Sequence, residues 1–143
     1  MRYVPAECIF AGWGRYAKNA GAVHALKYHL VWCPKYRRPV LTPPADERLK
    51  GLLSETAAEH GIKIQAMEVM PDHLHLFLEA DPTLSVAEIV NRFKGRSSRV
   101  LRQEFPHLRS RLPTLWSRSY FAATTGQVSE ATIRRYIEAQ KGR

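Results

Sequence analysis

Cysteine is nearly absent from this sequence. Only Cys8 and Cys33 occur in 143 residues, far apart and outside any CxxC spacing, which excludes a disulfide-stapled domain. Both read as reduced thiols, Cys33 packed inside a strand. Long apolar runs are missing too: nothing approaches the roughly 20 residues that span a bilayer, and the N-terminus lacks the charged-then-apolar pattern of a secretory signal. A cytoplasmic location, with no membrane partner, is the expectation. Phosphate-loop chemistry is not encoded, because Gly12-Trp13-Gly14-Arg15 lacks the Lys-Ser/Thr ending that such a loop needs. No internal repeat or low-complexity linker interrupts the chain.

Acidic residues are the minority charge. Thirteen Asp and Glu face twenty-two Lys and Arg, a formal net charge of +9 with a pI near 9.9, which favours a polyanionic partner. The cations are clustered. Lys35, Arg37 and Arg38 flank Tyr36, while Arg92, Lys94, Arg96, Arg99 and Arg102 crowd one later segment; Arg109, Arg111 and Arg118 follow near Trp116 and Tyr120. Cations interleaved with aromatics suit a phosphate backbone whose unstacked bases rest on rings, as in single-stranded nucleic acid. The other reading is an ordinary solvated basic face over core aromatics. Lys35, Arg37, Arg38, Arg92, Lys94, Arg96 and Arg99 are therefore candidate DNA contacts.

With 45% hydrophobic residues, the length suits one domain with one core. Residues 1–23 carry Gly12, Gly14 and Gly21 without a period and read as an irregular N-terminal arm; residues 24–143 read as the domain. His24 to Cys33 is rich in aliphatic and aromatic residues and stops at Pro34, which predicts a first strand. Apolar residues from Asp46 to His60 recur at helical spacing, and Gly61 offers a C-terminal cap. Residues 62–70 and 73–79 read as strands joined by the tight Pro71-Asp72 turn. Ser85 and Glu88 form a capping box for a long second helix, interrupted by Gly95, where a bend or a close backbone approach competes with simple tolerance. Residues 115–124 predict a fourth strand, and Ser129 caps a last helix running to about Gln140. The order strand, helix, strand, strand, helix, strand is that of an α+β, ferredoxin-like split βαβ fold. It implies a four-stranded antiparallel sheet with two helices on one face, and one C-terminal helix is left over.

Chemistry concentrates at two places. In Pro71-Asp72-His73-Leu74-His75-Leu76, strand alternation puts both imidazoles on one face, where two neutral rings can hold a divalent cation and leave coordination positions free. Taken alone, such a pair is as often a satisfied surface pair. Asp72 falls on the opposite parity and is not counted as a ligand. On the last helix, Ile133, Tyr136, Ile137 and Gln140 share a face. Tyr136 there is either part of an amphipathic stripe or a nucleophile, and a phenol with pKa near ~10 is a weak nucleophile unless a cation or base stabilises its anion.

An ordered set of motifs joins these places. Tyr28 through Arg37, Met70 through Leu76, Phe93-Lys94-Gly95 with Ser97, Leu115-Trp116, Ser119-Tyr120-Phe121 and Tyr136-Ile137-Glu138 with Gln140 together make the chain resemble the single-tyrosine HUH transposases of the bacterial insertion-sequence "two-hundred" class. The match runs from His24 onward and leaves the first 23 residues unassigned. The resemblance implies that His73, His75 and Gln140 hold Mg or Mn and that Tyr136 is the nucleophile. It also implies nicking and rejoining of single-stranded DNA at hairpin-bearing element ends through a 5′-phosphotyrosine link. A homodimer with composite active sites, in a DNA-associated bacterial or archaeal protein, is implied as well. Two alternatives accompany it: a host-domesticated or repeat-associated relative with the same chemistry, and a non-catalytic nucleic-acid-binding module in which the histidines and Tyr136 are structural.

Overall fold

A computed structural model describes residues 17–19, 22–24, 26–124 and 130–143, with side chains from residue 26. The glycines at 12, 14 and 21 and the Ser129 cap lie outside the described residues. Two short strands, β1 (Ala17–Asn19) and β2 (Ala22–His24), pair antiparallel within the stretch expected to be irregular or to open the first strand. The sheet proper contains β3 (Leu26–Trp32), β4 (Lys63–Met70), β5 (His73–Ala80) and β6 (Phe121–Thr124) in the order β4-β5-β3-β6. All three pairings are antiparallel, which is the split βαβ arrangement.

One face of the sheet carries the core. Leu30, Trp32, Leu74, Leu76 and Leu78 alternate onto it and meet α1 (Ala45–Glu59) through Leu49, Leu52 and Leu53. They meet α2 (Val86–Glu104) through Ile89, Val90 and Phe93. Both helices start and stop where local chemistry directs. Asp46 and Glu47 complement the positive N-terminal end of α1. Gly61, at φ +66°, closes it by letting the Ile62 amide reach the Ala57 carbonyl. Ser85 accepts from the Glu88 amide at 3.1 Å, as the capping box requires. Gly95 does not interrupt α2; it is an exposed position in a continuous helix.

The fourth strand is shorter than the sequence suggests. Trp116 makes only an isolated bridge with Pro34, and β6 begins at Phe121. A further short helix, α3 (Pro106–Ser110), starts with a proline in its first turn. The bridge is anchored from below by Ser97, which accepts from Trp116 Nε1 at 3.0 Å and donates to the Phe93 carbonyl at 2.6 Å. Ser97 is 1% exposed, so removing its hydroxyl strands a buried indole N–H. Ser97→Ala is expected to lower stability by about 1–3 kcal/mol, read as a lower urea midpoint at unchanged slope.

The extra helix, α4 (Glu130–Ala139), packs on the opposite face. Its Tyr136 ring lies 5.8 Å from Phe121, and Phe121 pairs with Val31, which pairs in turn with His75. Partners across an antiparallel ladder share a face, so α4 covers the side that carries the histidines.

Candidate active site

The two histidines occupy the start of β5, and alternation sends them away from α1 and α2. Their ring centroids are 5.0 Å apart at a T-shaped angle. The turn before them twists Asp72 back, against simple parity, so that its Oδ1 lies 2.7 Å from His73 Nδ1. A carboxylate on one ring nitrogen fixes the tautomer and leaves Nε2 as the electron-pair donor. Asp72 therefore orients a candidate ligand. Burial, with the neighbouring His73 second, pushes His75 down to about 4, so that ring is neutral near pH 7. Its Nδ1 is buried with no hydrogen-bond partner among the described residues. Two imidazoles, one braced by a carboxylate and the other neutral with a nitrogen left unsatisfied, suit a divalent cation.

The second group gathers on α4 and the segment before β6. Ser119 Oγ lies 2.9 Å from Tyr136 Oη and donates to Gln140 Oε1 at 2.8 Å. Gln140 Nε2 donates to the Tyr136 carbonyl at 3.3 Å. Tyr136 and Gln140 are thus neighbours, as helical spacing predicts. Burial pushes the Tyr136 phenol up to about 12, only partly countered by the Ser119 hydrogen bond. Unaided, the hydroxyl is a poorer nucleophile than free tyrosine. Among the described residues, neither Tyr136 nor Gln140 hydrogen-bonds a histidine; Phe121, under the Tyr136 ring, is two strands from His75, about 10 Å.

Arg37 links the two groups. Its guanidinium lies 3.4 Å from Asp72 Oδ2, 3.5 Å from Glu138 Oε2 and 3.3 Å from the Ile137 carbonyl. The preceding turn is unusual: Tyr36 and Arg37 have φ of 60° and 52°, left-handed values that cost side-chain-bearing residues about 1–2 kcal/mol each. Hydrogen bonds hold it there, from the Arg37 amide to the Pro34 carbonyl and between Tyr36 and the backbone of Gly142 and Arg143.

The other candidate DNA contacts divide into engaged and open cations. Lys94 donates to the carbonyls of Ser117 at 2.8 Å and Ser119 at 2.9 Å, and burial lowers its ammonium to about 8. Arg96 pairs with Glu55 and Glu59 of α1. Arg92 and Arg99 stay exposed along a groove that also includes His60 and Gly95. Lys35 stands 5.2 Å over the Tyr36 ring and lines a cleft with Asn91, Trp116 and Arg118. Arg38 is exposed beside Asp72 and Lys141. Sequence reasoning missed Ser119, the bracing role of Asp72 and the structural role of Lys94. Only the place of Ser119 inside the Ser119-Tyr120-Phe121 motif hinted at the first.

A four-stranded antiparallel sheet that displays a histidine pair on one face, covered by a tyrosine-bearing helix, is the arrangement of a single-tyrosine transposase. The family model described as "Transposase IS200 like" matches residues 22–140, and the chain belongs to that family. Among curated relatives, the ISDra2 transposase TnpA of Deinococcus radiodurans is 41% identical over 125 residues, covering 86% of this chain and 89% of that protein. The transposase of insertion element IS200 from Salmonella typhimurium is 32% identical over 116 residues, covering 80% and 76% respectively. A transposase crystal structure from Deinococcus radiodurans R1 superposes with a TM-score of 0.81 at 38% identity, covering 89% of this chain and 99% of that one. A REP-associated tyrosine transposase bound to a REP hairpin shares the fold alone, with a TM-score of 0.53 at 12% identity over 79% of this chain and 62% of that one. No described helix is long and apolar enough to cross a membrane.

Proposed function

We propose that this transposase cuts and rejoins single-stranded DNA at hairpin-bearing element ends, with Tyr136 as nucleophile and His73, His75 and Gln140 as the ligands of Mg or Mn. The observation that carries the reading is the junction made by Arg37. One guanidinium contacts the carboxylate that braces His73 and, at the same time, the helix that carries Tyr136. A core alone would not require a carboxylate-braced histidine next to a second imidazole on the face that a tyrosine-bearing helix covers.

In this reading the Tyr136 oxygen attacks a backbone phosphorus. A bond forms from phosphorus to the phenolic oxygen, and the bond from phosphorus to O3′ breaks. The phenol proton passes to solvent, and the leaving O3′ takes one up as a free hydroxyl. Attack by a 3′ hydroxyl on the phosphotyrosine reverses the sequence, so no nucleotide cofactor is needed. A bound cation would polarise a nonbridging phosphate oxygen and fix the scissile bond in line. Asp72 keeps the His73 ring in its donor tautomer, and Arg37 keeps Asp72 in place. The exposed cations Arg92, Arg99 and Arg38, with the half-buried Lys35, would supply phosphate contacts for strand and hairpin, with the exposed Tyr36 ring as a stacking surface. Arg37, Lys94 and Arg96 serve that surface indirectly, through the turn, loop and helix they hold. A homodimer in which α4 of each protomer completes the partner's site is part of the proposal.

The test is direct. Incubation with labelled single-stranded element ends and Mn is expected to give a protein–DNA adduct that survives denaturation and disappears with EDTA. Tight binding with no adduct on cognate ends would leave only a nucleic-acid-binding module.

A further inference from the structure

Ser119 stands between Tyr136 of α4 and Gln140, the residue that follows the helix. Its backbone is fixed from outside that helix: the Lys94 ammonium binds the carbonyls of both Ser117 and Ser119, and it sits near the rings of Trp32 and Tyr120, at 6.0 and 5.9 Å. The loop that presents the hydroxyl is therefore tied to α2 and to the sheet.

The direction of the hydrogen bonds follows from counting hydrogens. Gln140 Nε2 points at the Tyr136 carbonyl, which only accepts, so the amide orientation is determined and Oε1 faces Ser119. An amide oxygen cannot donate. The single hydroxyl hydrogen of Ser119 therefore goes to Gln140, and the 2.9 Å contact with Tyr136 is made by the phenol donating to Ser119 Oγ. The result is a one-way chain from Tyr136 through Ser119 to Gln140. In this arrangement the phenol is a donor and keeps its proton.

We propose that Ser119 is a positioning residue that sets the orientations of the Tyr136 phenol and the Gln140 amide together and makes them interdependent. Turning the Gln140 oxygen away from Ser119 frees the one hydroxyl hydrogen to point at the phenolic oxygen instead. The same hydroxyl then stabilises developing negative charge on Tyr136 rather than receiving its hydrogen. This inference rests on the reading of Tyr136 as nucleophile and Gln140 as ligand.

The experiment compares the wild-type chain with Ser119→Ala and Ser119→Thr, all at full length. Position 119 is exposed, so the added methyl of threonine has room while its hydroxyl remains. Two quantities are read: the single-turnover rate of adduct formation with Mn, beside DNA affinity, and the Gln140 side-chain NH2 resonance in metal-free protein, assigned as the signal lost in Gln140→Ala. Ser119→Ala is expected to slow adduct formation by about ten- to a hundredfold with DNA affinity nearly unchanged and to move the Gln140 resonance; Ser119→Thr is expected to restore both. An unchanged rate or resonance in Ser119→Ala overturns the inference while leaving the nucleophile assignment standing, as does a failure of Ser119→Thr to recover them. Absence of any wild-type adduct overturns both.

Discussion

Tyr136→Phe is expected to form no covalent adduct with single-stranded DNA, a loss of at least about ten-thousandfold in strand cleavage, of the size seen when a nucleophile is removed. The substitution deletes one oxygen and keeps the ring against Phe121, so the packing of α4 persists. DNA affinity should hold, because the exposed cations, not the phenol, face the grooves. A denaturing gel of labelled DNA provides the readout. Retained adduct would move the nucleophile elsewhere, to another of the six tyrosines. Mixing Tyr136→Phe with His75→Ala extends the experiment: composite sites return part of the activity, and self-contained sites return none.

The second large effect is expected at His75. Truncation to alanine removes one of two adjacent imidazoles and should reduce metal-dependent cleavage by about a thousandfold or more, with hairpin binding retained. The same change should alter the acid response of the metal-free protein. Because the folded-state pKa of His75 is depressed to about 4, the unfolded chain binds a proton more readily. The stability held by the neutral ring is complete above the unfolded value of about 6.5 and is lost as pH falls from there towards 4. In His75→Ala this part of the decline should vanish, visible as a shallower dependence of the urea midpoint on pH. Wild-type-like cleavage in His75→Ala would remove the metal from the chemistry.

Much of this was written in short-range pattern. Leu74 and Leu76 between the histidines fix which face of β5 is core, and Ser85 with Glu88 fixes the start of α2. What sequence could not reach depends on the path of the chain in space. Asp72 is one residue before His73, and only the twist of the turn brings its carboxylate to the ring. Lys94 looks like one more phosphate contact until its ammonium is found between two carbonyls. Ser119 is a small polar residue ahead of a strand, and its significance comes from a helix that follows it by more than ten residues. Residues 115–120 resemble strand because their aromatic content matches strand propensity, whereas Trp116 serves as an anchor on Ser97 and β6 begins at Phe121.

The hold of α4 on the sheet has an energetic consequence. Ile133 is its one buried residue, and Glu138, which reaches Arg37, is 69% exposed at its side chain. An ion pair so open to water contributes little, and one buried aliphatic side chain contributes about 1.5–3 kcal/mol. The rest of its hold is polar, from Ser119 to Tyr136 and Gln140, from Arg37 to the Ile137 carbonyl, and from Tyr36 to the backbone of Gly142 and Arg143. Hydrogen bonds can be exchanged for equivalent ones with water or with another surface at little net cost, so the helix that carries the proposed nucleophile is the one the main core does not need.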